Sequence, residues 1–164
     1  MKHVKKSVLL WYSAHEMYEL VIAVEDYPRF LPWCDRVDVL GRDPEGLTAR
    51  LHLAYAGVRQ AFTTRTMLTP DQSVHIALVD GPFSMLDGTW LFTSLPAPAS
   101  ASPASAPVPG LPAEPGKACK IDFEMRYAFA NGPLEALISP VFDRIANTFV
   151  DAFVRRAEQV HGPR

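Results

Sequence analysis

Apolar residues recur through the last third of the chain at Leu134, Leu137, Ile138, Val141, Phe142, Ile145, Phe149, Ala152, Phe153, Ala157 and Val160. Glu135, Asp143, Arg144, Asp151, Arg155 and Glu158 fall mostly between them. This spacing predicts an amphipathic helix of roughly 25 residues, long enough at ~1.5 Å per residue to cross a small domain. Pro133 marks a short helical turn ahead of it. Ser139-Pro140 predicts a kink or restart, because serine caps a helix and proline suits its first turn.

Upstream the period changes from helical to alternating. Val4–Trp11 reads as a first strand, and Ser13-Ala14-His15-Glu16 as a capping box that opens a helix with Met17, Leu20, Val21 and Val24 on its inner face. That helix is expected to stop near Asp26, since Pro28 disfavours helical angles at Tyr27. Residues 29–34 then cross to five strand candidates: Arg36–Leu40, Leu47–Tyr55, Val58–Leu68, Ser73–Val79 and Met85–Thr93. Gly57, Thr69-Pro70-Asp71 and Asp80-Gly81-Pro82 punctuate them, and such short connections imply an antiparallel meander. A last strand, Cys119–Phe129, places Cys119, Ile121, Phe123, Met125, Tyr127 and Phe129 on one face and Lys120, Asp122, Glu124 and Arg126 on the other. The elements together describe an α+β chain, a curved sheet of about seven strands folded around one long helix, with an apolar interior able to hold a greasy ligand.

One segment breaks both periods. Residues 96–116 are almost entirely Pro, Ala, Ser and Gly, with too little bulk to offset the entropy of ordering them. They are read as a mobile insertion in the hairpin between the last two strands. Because the residues beyond could not bury a core alone, 1–164 is read as one domain.

Composition narrows the chemistry. A formal charge of −2 provides no global field to attract nucleic acid, so DNA is not an expected partner. Local positive charge is confined to Lys2, Lys5 and Lys6 near one end and Arg155 and Arg156 near the other. Cys34 and Cys119 form no CxxC pair, which makes a reduced, cytoplasmic compartment the default. No apolar run approaches the ~20 residues of a membrane span. The five histidines are scattered and no nucleophile elbow or phosphate loop occurs, so neither a metal nor a catalytic residue is assigned and the chain is read as a non-enzyme.

What remains is aromatic and apolar. Phe30-Leu31-Pro32-Trp33 and Pro82-Phe83-Ser84-Met85-Leu86 lie beside turn residues, where chains are normally polar, and therefore suit a cavity mouth. The candidate ligand-binding set is Tyr27, Phe30, Leu31, Pro32, Trp33, Tyr55, Phe62, Phe83, Leu86, Trp90, Phe123, Phe142, Ile145 and Phe149. Tyr27, Trp33 and Tyr55 are the candidates for contact with a polar headgroup.

At these residues the chain resembles a known family. Tyr27-Pro28-Arg29-Phe30-Leu31-Pro32-Trp33-Cys34, Gly81-Pro82-Phe83 with Leu86, Gly88, Trp90 and Phe92, and Pro140-Val141-Phe142-Asp143-Arg144-Ile145-Ala146 are similar to the coenzyme Q-binding / ribosome-association toxin RatA family of the START-like, polyketide cyclase-like superfamily. Val150-Asp151-Ala152-Phe153 and Arg155-Arg156-Ala157 extend the match, which departs only at 96–116. The resemblance implies the helix-grip fold, a bent antiparallel sheet around the C-terminal helix with two small helices between the first and second strands. It also implies three candidate functions, which the apolar alternation and the charge of −2 place in order. First is binding of a ubiquinone-type polyprenyl quinone as a lipid chaperone supporting respiration, with peripheral contact at the cytoplasmic face of the inner membrane and no cofactor beyond the bound quinone. Second is a toxin that binds the large ribosomal subunit and blocks subunit joining. Third is a polyketide cyclase or aromatase, which would want a more polar interior than this alternation provides.

Overall fold

The computed structural model describes residues 2–95 and 118–162. Seven strands form one antiparallel sheet in the order β1-β7-β6-β5-β4-β3-β2. They are β1 (Lys2–Leu10), β2 (Cys34–Asp43), β3 (Gly46–Tyr55), β4 (Val58–Thr69), β5 (Ser73–Asp80), β6 (Phe83–Leu95) and β7 (Ala118–Phe129). Every strand from β2 to β7 pairs with its neighbour in sequence, through short turns from β2 to β6, and β1 closes the far edge by pairing with β7. Between β1 and β2 run α1 (Ala14–Ile22), a 3-10 turn at Val24–Asp26 and α2 (Tyr27–Phe30). The bent sheet and its two small helices are those implied by the helix-grip resemblance.

The capping box at α1 forms as read. Ser13 Oγ accepts from the Glu16 backbone N–H at 3.0 Å, and the Glu16 carboxylate accepts from the Ser13 N–H at 2.9 Å. Tyr27 departs from expectation, with helical angles of φ −53° and ψ −42°. Pro28 is tolerated because it sits in the first turn of α2, where its missing N–H has no helical partner to lose. The Tyr27 ring is buried and its hydroxyl donates to the Val21 carbonyl, which holds α2 against α1.

The long helix α3 (Gly132–His161) also departs from expectation, running without restart through Pro140. It begins at Asn131, whose side chain accepts from the Leu134 N–H at 2.9 Å, and not at Ser139. Ser139 is recruited elsewhere. Its hydroxyl donates to Asp143 at 3.0 Å and accepts from Lys2 Nζ at 2.6 Å, while Lys2 also pairs directly with Asp143. Tyr127 on β7 donates a further bond to Asp143 at 2.6 Å. This cluster pins α3 to both β1 and β7. Leu137 and Val160, read as part of the apolar stripe, lie outside it at 54% and 49% exposure.

Side chains on the inner face of the sheet meet α3 through two groups of rings. Phe142 contacts Tyr127 and Phe83 at centroid distances of 4.7 and 4.9 Å. Phe149 and Phe153 contact Trp90 at 5.7 and 5.2 Å, and Phe153 reaches Tyr27 at 5.5 Å. Glycine is required where β3 begins, because a Cβ on Gly46 would lie 1.9 Å from the Thr66 carbonyl oxygen of β4.

The segment read as an insertion, 96–116, lies outside the described residues. Its flanks do not: Leu95 and Ala118 stand opposite each other in the β6–β7 ladder. Joining them through a two-residue Asn-Gly turn is expected to leave the melting temperature unchanged or raised, since loop closure favours the shorter connection by ~0.6 kcal/mol per halving. A fall of several degrees in thermal denaturation would mean that 96–117 packs on the domain.

The Asp143 cluster makes a second expectation. Burial raises the Asp143 pKa, but hydrogen bonds from Lys2, Tyr127 and Ser139 and the Lys2 charge outweigh it, so the folded carboxyl titrates below its ordinary value. A lowered folded pKa contributes stability above the unfolded pKa of ~3.9, lost as pH falls through the folded value. Asp143→Asn is therefore expected to lower the melting temperature at pH 7 and to match the wild type more closely once the pH drops well below ~4. A constant difference across that range would show that the carboxylate charge is not what stabilises the cluster.

Candidate ligand-binding cavity

Between the two ring groups α3 presents Ile145 and Ala146, and β3 presents Ala49. These side chains are too small to fill the space from helix to sheet. A cavity of about 60 Å³ remains, walled by Val21 and Val24 from the α1 region, Tyr27 and Trp33, Ala49 and Leu51 of β3, and Phe62, Thr64 and Thr66 of β4. Val74 and Ile76 of β5, Leu86 of β6, Met125 of β7 and Phe142, Ile145, Ala146 and Phe149 of α3 complete it. As it stands, that volume accommodates only a few water-sized groups. A larger guest enters by displacing side chains.

Of the residues singled out from sequence, Tyr27, Trp33, Phe62, Leu86, Phe142, Ile145 and Phe149 meet at this cavity. Phe83, Trp90 and Phe123 do not. They stand behind the wall in the ring groups, where Trp90 and Phe123 lie 4.7 Å apart and Phe83 supports Phe142. Phe30 packs on Phe153 at 5.1 Å under the Arg156 guanidinium, 5.3 Å from its ring. Leu31 is buried as the cap of α2, its N–H donating to the Tyr27 carbonyl at 2.8 Å.

Pro32 and Tyr55 belong to a second feature, a surface cleft of about 250 Å³ lined with Trp33, Arg144, Ile145, Thr148 and Arg155. Trp33 and Ile145 wall both spaces, so the cleft abuts the cavity across those two side chains. The Trp33 carbonyl accepts from the Ala54 N–H at 2.9 Å, which fixes the indole beside β3.

The apolar stretch at 82–86 is not a loop. β6 starts at Phe83, and a register shift between Phe83 and Met85 turns both Phe83 and Leu86 inward. The three headgroup candidates are also separated: Tyr27 is inside with its hydroxyl already donating to Val21, Tyr55 is outside in the cleft, and Trp33 stands between.

Sequence reading missed the polar groups of the cavity. Thr64 and Thr66 are buried at 4% and 7% exposure, and no side-chain hydrogen bond is formed by either among the described residues. Phe62, Thr64 and Thr66 alternate along β4, so the inward position of Phe62 was the signal for both. Cys34 offers no nucleophile, because burial pushes its thiol up to about 12. No three His, Cys, Asp or Glu side chains converge as a metal site among the described residues, and no described helix is long and apolar enough to cross a membrane.

A bent antiparallel sheet gripping one helix around an apolar cavity defines the START-like class. The chain belongs, through residues 10–154, to the family described as polyketide cyclase / dehydrase and lipid transport. Within it, the chain is 36% identical over 160 residues to the ribosome association toxin RatA of Pseudomonas aeruginosa, covering 98% of both chains. It is 27% identical over 158 residues to the mitochondrial coenzyme Q-binding protein COQ10 homolog B of Xenopus laevis, covering 96% of this chain and 58% of that one. The family resemblance read from Tyr27–Cys34 and α3 is thereby borne out. In fold it is similar to the Zhui aromatase/cyclase from Streptomyces sp. R1128, with a TM-score of 0.70, 18% identity and coverage of 96% and 94% of the two chains.

Phe142 both packs in a ring group and walls the cavity. Phe142→Ala is expected to cost ~3–5 kcal/mol in chemical denaturation, as for a close-packed aromatic. A loss below ~1 kcal/mol would place the ring against space and not against core.

Proposed function

We propose that this protein binds a small molecule with an apolar chain, of the polyprenyl quinone class, between α3 and the sheet, and acts by carrying it rather than by transforming it. The observation that supports this reading most is the cavity lining: aliphatic and aromatic side chains from five strands and four helical segments, with Thr64 and Thr66 as its uncommitted hydroxyls. Each buried CH₂ of such a chain contributes ~0.8 kcal/mol, so two isoprene units suffice for useful affinity once the walls part. A quinone oxygen reaching Thr64 or Thr66 would find a hydroxyl free to donate. Carrying without chemistry accords with an interior in which the described groups include no paired nucleophile and base, and with relatives named as a toxin or a binding protein. The membrane role belongs to this proposal alone, as the place where such a ligand resides.

A second reading, association with the large ribosomal subunit, is favoured by the full-length similarity to chains named ribosome association toxin. Its basic surface differs from the one expected. Lys2 is committed to Asp143, and Lys6 lies 4.0 Å from Asp151, so the lysines of β1 are partly neutralised by α3. Among the described residues Lys5 of β1, Arg50, Arg59, Arg144, Arg155 and Arg156 carry positive charge without an ion pair.

One pair of measurements separates the readings. A quinone with a short isoprenoid tail is expected to raise the melting temperature in proportion to RT ln(1 + [L]/Kd), with little dependence on salt. Purified large subunits are expected to co-sediment with the protein only if the second reading holds, and that association would fall steeply between ~50 and ~200 mM salt if phosphate contacts carry it. Absence of any shift with quinones of several tail lengths, together with tight salt-sensitive co-sedimentation, would overturn the carrier reading.

A further inference from the structure

The cleft at Trp33 and Ile145 has a chemistry that a neutral ligand does not use. Arg144, Thr148 and Arg155 sit on one side of α3, and facing them are Pro32, Trp33 and Tyr55. Arg144 and Arg155 form no ion pair among the described residues, and the lining contains no carboxylate. The acidic residues Asp143 and Asp151 of the same helix are paired with Lys2 and Lys6. Two guanidiniums without a paired carboxylate border this concave site. An anion placed there accepts charge-assisted hydrogen bonds. The positions are three helical turns apart, ~16 Å along the axis, so the long side chains approach a headgroup from two ends; the Thr148 hydroxyl between them is already donated to the Arg144 carbonyl at 2.7 Å. Trp33 and Tyr55 add flat surfaces on which a headgroup can rest.

We infer that this cleft is the headgroup subsite of the cavity and that its occupant is an acidic amphiphile: a carboxylate or phosphate held between Arg144 and Arg155, with an apolar chain passing Trp33 and Ile145 into the space beneath α3. The inference rests on the cavity reading above for the apolar chain and departs from it at the head, where an anion in the cleft replaces a neutral quinone at Thr64 or Thr66. An extended nucleic-acid backbone fits less well. It would need a row of phosphate contacts on an open surface, whereas here the charge borders a cleft that shares two walls with an apolar cavity.

The test uses the full chain and matched ligands of one chain length: farnesol, farnesoic acid and farnesyl phosphate, with inorganic phosphate alone, by calorimetry and thermal shift. Both acids are expected to bind about tenfold or more tightly than farnesol. That preference should collapse in the double variant Arg144→Gln, Arg155→Gln, and should shrink as salt rises. Ala146→Leu, which fills the cavity, is expected to weaken all three chain ligands, and Ala49→Leu provides the same block from β3 should the first fail to fold. Equal binding of farnesol and the acids to the wild type would overturn the headgroup subsite while leaving the cavity reading intact. No binding by any chain ligand would overturn both. Inorganic phosphate as tight as farnesyl phosphate would mean a free-anion site. Loss of large-subunit co-sedimentation in the arginine variant, with no preference among the ligands, would assign the arginines to RNA and overturn the inference.

Discussion

Everything in this molecule depends on how the aromatic face of α3 seats on the inner face of the sheet. Phe142, Phe149 and Phe153 recur at the spacings that keep side chains on one face of a helix. Each lands among rings supplied by the sheet or by α2. The two ring groups set the height of α3 above the sheet, much as two piers set the height of a span. Between them the chain offers Ile145, Ala146 and Ala49, and the space left over is the cavity. The cavity is therefore not a defect of packing. It follows from large side chains at the ends of a contact and small ones in the middle.

The rotation of α3 that its aromatic face sets is reinforced by charge. Asp143, buried enough to feel its loss of solvent, is held ionised by Lys2, Tyr127 and Ser139. Asp151 points to the same edge, toward Lys6. With Asp143 and Asp151 committed to β1, Arg144 and Arg155 are left beside Trp33 and Tyr55 without an ion pair. A net charge of −2 conceals this division. What matters for recognition is where the charges without partners end up.

Much of the architecture was legible before any coordinates. Strict alternation in Leu47–Tyr55 and Cys119–Phe129, bounded by turn residues, placed those strands within a residue or so of their observed ends. Two departures have a shared cause, in that a distant partner overrides a local preference. Ser139 and Pro140 together are a good helix start, yet Ser139 bonds to Lys2 across the chain and the helix begins earlier, at Asn131. Tyr27 takes angles that a following proline disfavours because its buried ring and hydroxyl are anchored on Phe153 and Val21. For the site, large aromatic residues drew attention although several of them are buttress, not wall. Trp90 and Phe123 could not be told from Phe62 and Phe149 by period, since all four face inward. The small and polar lining residues, Ala49, Thr64, Thr66 and Ala146, carry no signal of their own. Their role exists only relative to the larger neighbours that hold the space open.

The closure of the sheet has a consequence for how the chain acquires its structure. β1 finds its partner only in β7, and Lys2 meets Asp143 across 141 residues of sequence, as Tyr12 meets Gly162 across 150. Contacts of such long range repay their closure entropy late, so the meander from β2 to β6 can organise well before either edge or helix is in place. In such a meander, without α3, the inner face carrying Phe62, Val74 and Trp90 would be open to solvent. α3 covers that face and encloses the cavity. A guest that meets the half-built protein encounters a wide apolar trough, and one that meets the finished protein encounters a narrow interior behind Trp33 and Ile145. When a ligand arrives, relative to folding, thus becomes as consequential as how tightly it binds.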